Sequence, residues 1–125
     1  MKESDVPPEA TLAFPGSELR TRGWNPGDKG TYIDGGSAEY APRLTLTYDV
    51  PPTDPAELLQ WYESQLRELD YAVEKDGDPS AIRVRALLEA TQIADGFDVN
   101  FGILGVVHDD GTLTSFTVTV VVRPT

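Results

Sequence analysis

The chain contains no cysteine and a single histidine, His108. The first absence excludes disulfides, thiolate nucleophiles and thiolate-ligated zinc, and leaves the redox compartment open. The second leaves no HExxH motif and no second imidazole for a metal. Basic residues are scarce as well: Lys and Arg total 10 against 21 Asp and Glu, a formal net charge of -11. Nucleic acid and anionic membrane would both repel such a chain, so neither is expected as a partner. A basic partner, or solubility alone, is compatible with the charge. No apolar run is long enough to cross a bilayer, so direct membrane insertion is not expected. No signal-peptide pattern follows Met1-Lys2. The expected location is cytoplasmic if the chain is complete and extracytoplasmic if it is a fragment of an anchored protein.

What is present suits one domain over residues 1–125, since that length supports one modest core. Residues 1–10, with Pro7 and Pro8, read as a flexible arm. The clearest element is a helix over about 54–70. Asp54 stands at the N-cap, Pro55 at the first helical position and Glu57 three residues after the cap. Leu58, Leu59, Tyr62, Leu66 and Leu69 recur at steps of three and four and form one apolar face. Glu63 and Arg67 stand in the favourable order for an (i, i+4) pair. Asp70 tolerates the left-handed turn that ends a helix. Tyr62 reads as core and Trp61 as lying at the helix–sheet margin.

The remainder reads as an antiparallel sheet of about four to six strands, giving an α+β fold. Thr11–Phe14 predicts a short edge strand stopped by Pro15-Gly16, and Glu18–Arg22 a second extended piece. In Arg43–Val50, Leu44, Leu46, Tyr48 and Val50 alternate with Thr45, Thr47 and Asp49, the pattern of a half-buried strand. Tyr71–Glu74 opens another strand, followed by a turn at Asp76-Gly77-Asp78-Pro79. Residues 82–93 alternate in twos and are taken as a strand; a second helix over about 79–94, capped by Asp78, is the alternative. Asp110-Gly111 signals a two-residue type I′ hairpin. Its register sets Ile103 opposite Val118, Phe101 opposite Val120, Val99 opposite Val122 and Gly105 opposite Phe116. An aromatic thereby covers a glycine.

Gly23 to Ser37 reads as a long glycine-rich loop, and such loops are often functional. It lacks the strand–GxGxxG–helix context of a dinucleotide site, and Lys29-Gly30-Thr31 does not match a Walker lysine. If the chain binds a ligand, the aromatics Trp24, Tyr32 and Tyr40 are the residues to hold it.

Phe14-Pro15-Gly16-Ser17-Glu18-Leu19, and then Asp54-Pro55-Ala56-Glu57-Leu58-Leu59-Gln60-Trp61-Tyr62 with Leu66, Leu69, Asp70 and Tyr71, resemble a loose group of small bacterial domains. These share a "PGa-hydrophobic" opening and a "D-pee-v-x-x-WY-x-x-x-L-x-x-x-GW" segment. The resemblance covers about a third of the chain. It implies a helix on an antiparallel sheet in an exported or lipid-anchored protein, and carries over no catalytic residue. Here Asp70-Tyr71 stands where the group has Gly-Trp, and there is no lipobox cysteine.

Chemistry-bearing constellations are few. His108 sits beside a predicted turn, with no serine–acid partnership evident. Asp109-Asp110-Gly111 and Asp76-Gly77-Asp78 lack the ligand spacing and closing glutamate of a calcium loop, and turn chemistry explains both. No catalytic residue, metal ligand or cofactor is assigned. The expected function is a non-catalytic binding or structural module of an exported or cell-envelope bacterial protein. The alternative is a carboxylate-based hydrolase, which requires at least two buried acids in one pocket. Leu104 and Val106, facing away from Phe101, motivate a homodimer through a sheet edge or an uncovered sheet face.

Overall fold

A computed structural model describes residues 6–26, 28–31, 37–40, 42–76, 85–94 and 97–124. The helix, α1, runs Pro55–Glu68. The Asp54 carboxylate accepts the Ala56 N–H at 3.0 Å, and Pro55 occupies the first position, where no donor is needed. At the other end Asp70 adopts φ +66°. The Tyr71 N–H reaches the Leu66 carbonyl at 3.0 Å and the Asp70 N–H reaches that of Arg67 at 3.1 Å. This is a Schellman motif with aspartate in the place usually held by glycine. Leu58, Tyr62 and Leu66 are buried, each contributing about 1.5–3 kcal/mol by leaving water. Leu69, expected on the same stripe, is 41% exposed, because the helical period ends before it.

The strands are β1 (Glu18–Asn25), β2 (Asp28–Thr31), β3 (Ser37–Tyr40), β4 (Arg43–Thr53), β5 (Ala72–Asp76), β6 (Arg85–Ala94), β7 (Phe97–Val106) and β8 (Leu113–Pro124). Six of them form one antiparallel sheet in the order β1-β4-β8-β7-β6-β5. Helix α1 connects β4 to the far edge strand β5, and so lies across one face. Beneath it Leu44, Leu46, Tyr48 and Val50 of β4 meet Phe116, Val118, Val120 and Val122 of β8, and then Val99, Phe101 and Ile103 of β7. Tyr48 stacks on Phe116 at 5.2 Å, and Tyr62 sits edge-on above the same ring at 5.8 Å. The expected strand over 82–93 is β6, with Leu88 and Ala90 inward; a helix there is ruled out over Arg85–Ala94. The turn expected at Asp76–Pro79 lies outside the described residues beyond Asp76.

The four expected cross-strand pairs of β7 and β8 all occur, but the turn differs. The His108 N–H bonds the Thr112 carbonyl at 2.8 Å, the Gly111 N–H bonds the His108 carbonyl at 2.9 Å, and Gly111 has φ +86°. The loop is therefore three residues, a type I turn closed by a left-handed glycine, and not a two-residue type I′ turn. Asp110 selects it by accepting both the N–H and the hydroxyl of Thr112, at 2.9 and 2.7 Å. An irregularity between the turn and the ladder restores the register, with Leu113 buried beside Gly105.

Three further expectations change. Thr11–Phe14 is not a strand: Pro8–Thr11 forms a 3₁₀ turn, and the chain then runs irregularly to a turn at Pro15-Gly16. The segment expected as a free arm is docked from Val6 onward. Ala10 is 1% exposed, the Tyr71 hydroxyl donates to Glu9 at 3.1 Å, and the Tyr62 hydroxyl donates to the Leu12 carbonyl at 3.0 Å. The apolar residues Val6, Leu12 and Phe14 make this docking favourable. The long glycine-rich loop is mostly paired strand. β2 and β3 keep the register of β1 and β4, so the two ladders make one ribbon interrupted where Pro26 falls opposite Pro42. Neither proline has an N–H to donate, which breaks the ladder there.

Candidate functional site

Residue chemistry points to three places on the molecule. The first is the expected aromatic site. Trp24 lies in β1 opposite Leu44 and is half-buried against the core, so it is not a loop residue. Tyr40 ends β3 opposite Asp28, and Tyr32 lies outside the described residues. Of the three, only the Trp24 side chain lies among the described ones.

The second is an open hollow of about 630 Å³ beside the C-terminal end of α1, lined by Asp70, Ala72, Thr91, Gln92 and Asp98. The Gln92 amide is engaged, donating to the Leu69 carbonyl at 2.7 Å. Asp70 is exposed and Asp98 only half-buried, and among the described residues no charged side chain is buried. Strong carboxylate activation by burial therefore has no seat among them. Nor do the described residues cluster three metal-ligating side chains. His108 is exposed and shares a 2.9 Å hydrogen bond with Thr114 Oγ1. Its neighbour Asp110 is held below the usual carboxylate range, first by the Thr112 N–H and then by the Thr112 hydroxyl. That is the chemistry of a turn and not of a nucleophile and its base.

The third is the sheet face opposite α1. Alternation places Thr45 and Thr47 of β4, Thr117, Thr119 and Val121 of β8, and Leu104 and Val106 of β7 on that side, and none of them is buried. Leu104 is 40% and Val106 66% exposed. The cross-strand rungs are regular. Thr21, Thr47, Thr117 and Leu104 lie level on neighbouring strands, and Gly23, Thr45, Thr119 and Gly102 form the next rung. The hydroxyls of Thr47 and Thr117 are 3.4 Å apart.

No family model, curated protein or solved structure matches this chain. Among the described residues the uncovered face is a regular four-strand surface, with small side chains at its centre and charge at its two ends. Sequence reasoning placed Thr45 and Thr47 on the outer side of β4 without taking them as a site. The available signal was the repetition of Thr-x-Thr in Thr45-Leu46-Thr47 and Thr117-Val118-Thr119, on strands that prove to be neighbours.

Proposed function

We propose that the chain is a non-catalytic interaction module of an exported or cell-envelope bacterial protein, of the kind its resemblance implies, and that the uncovered sheet face is its working surface. The observation that carries this proposal is the pairing of one helix with six strands. A single helix covers one face, while the other presents Leu104 and Val106 beside an uncharged field of threonine and glycine. Exposed apolar side chains beside two charge-free rungs of a regular sheet face suit contact with another surface better than contact with water.

A photo-reactive residue in place of Thr119, in cells that make the protein, tests this against the same residue in place of Gln60 on the exposed side of α1. Adducts specific to position 119 are the expected result. No adduct at 119, or identical adducts from both positions, would overturn the assignment.

A further inference from the structure

We infer that the occupant of this face is a second copy of the chain, packed face to face about a two-fold axis. The axis runs across the strands between the Thr117 and Thr119 rungs. This rests on the interaction-module proposal and names its partner.

Although the chain carries -11, the outer side of β1, β4, β8 and β7 is balanced, with Arg20, Arg43 and Arg123 against Glu18, Asp49 and Asp98. The excess acid lies elsewhere, including Glu74 on the edge strand β5, outside these four strands. A basic partner would be drawn to that excess and not to the balanced face. A second copy, repelled everywhere else, meets least opposition here.

The charges are also sorted along the strands. Arg43 and Arg123, with Asp98, mark one end; Asp49 and Glu18, with Arg20, mark the other; the two rungs between carry none. Asp49 and Arg20 already pair at 3.2 Å. A two-fold axis crossing the strands lays the net-positive end of each copy over the net-negative end of the other. Arg43 then faces Asp49 of the second copy, each side contributing the same contact, as an isologous interface requires. An axis along the strands would set like ends together instead.

Shape agrees with charge. With the axis between those rungs, Leu104 comes over Gly102 of the second copy, a large side chain above a missing one. Thr117 comes over Thr119, and Thr45 over Thr47. Four strands spaced about 4.8 Å apart and about eight to nine residues long at about 3.3 Å per residue give roughly 500–570 Å² per copy. The total of about 1,000–1,100 Å² just reaches the roughly 1,000 Å² of a specific interface. The dimer is therefore of modest affinity and dissociates on dilution.

Sedimentation equilibrium between about 1 μM and 1 mM tests it, a range wide enough to span weak and moderate dimers. The mass rises from 13.6 kDa toward twice that value. Gly102→Leu discriminates the geometry. A Cβ there meets nothing nearer than the Thr119 carbonyl oxygen at 4.0 Å, so the monomer has room for it, whereas Leu104 of the second copy does not. The expected result is association weakened by about ten-fold or more with thermal stability retained. Arg43→Glu weakens it too, and adding Asp49→Arg to that variant restores part of the loss. A monomer at every concentration, or a dimer indifferent to Gly102→Leu, overturns the proposal. If the photo-reactive residue at 119 then captures a different protein, the interaction module stands and the dimer falls; if it captures nothing, both fall.

Discussion

Asp70 closes the Schellman motif at φ +66° with its carboxylate at the negative end of α1. Two costs coincide there. A left-handed conformation costs an L-residue about 1–2 kcal/mol, less for aspartate, whose short polar side chain tolerates it. A negative charge at a helix C-terminus adds about 0.3–1 kcal/mol, toward the lower figure for an exposed group. Asp70→Gly removes both, and loses about 0.4–1 kcal/mol by freeing the unfolded chain. The net expectation is a gain of about 0.5–1 kcal/mol, or roughly 2–5 °C in Tm for a chain of this length. Asp70→Asn removes the charge but keeps a residue suited to the left-handed turn, and gains a few tenths of a kcal/mol, about the worth of an exposed charge near a helix end. Asp70→Ala loses that suitability and falls at or below the parent. Urea titrations should rank the variants Gly, Asn, Asp, Ala with an unchanged m-value. The gap between Asn and Asp should shrink in high salt. A destabilised Asp70→Gly, or an alanine variant equal to it, would refute the account, because the motif's two hydrogen bonds are backbone bonds present in all four.

Two other perturbations follow from the core. Burial pushes the Tyr48, Tyr62 and Tyr71 hydroxyls above their ordinary value of 10.0, at Tyr71 with the Glu9 carboxylate adding to the rise. Because the folded state holds these groups neutral while the unfolded chain ionises near pH 10, their stabilisation is complete below that pH and is lost above it. Each contributes a slope of up to about 1.4 kcal/mol per pH unit. Urea midpoints measured from pH 8 upward should fall beyond pH 10, less steeply in Tyr62→Phe, and a flat profile would contradict the burial. Trp24→Ala should cost about 1–2 kcal/mol, since the ring is half-buried against the core. An unchanged Tm would contradict that packing.

The features legible from the sequence were those set by local chemistry. Asp54, Pro55 and the spacing of Leu58, Tyr62 and Leu66 define α1, because cap and period act within a few residues. The β7–β8 register was legible because a slip by one residue would turn Phe101, Ile103, Val118 and Val120 out of the core. The turn between them was not, because Asp110 can serve either loop length, and its two bonds to Thr112 decide only once the flanking strands are placed. Glycine in the 23–37 stretch suggested open loop, yet the ladders of β1–β4 and β2–β3 share one register, a long-range pairing that no short window contains. Leu104 and Val106 pointed to an uncovered sheet face, but its threonine centre was hidden for a similar reason. Thr45-Leu46-Thr47 and Thr117-Val118-Thr119 become one surface only when β8 is known to lie beside β4.

That adjacency has a consequence for biosynthesis. β8 is the last of the described strands to leave the ribosome, yet it fills the centre of the sheet between β4 and β7. Until it emerges, the β1/β4 pair and the β7/β6/β5 trio are joined only through α1, and each leaves an unpaired strand edge open to other chains. Any lesion that shortens the reading frame before Leu113 therefore removes the one strand that joins the two halves of the sheet.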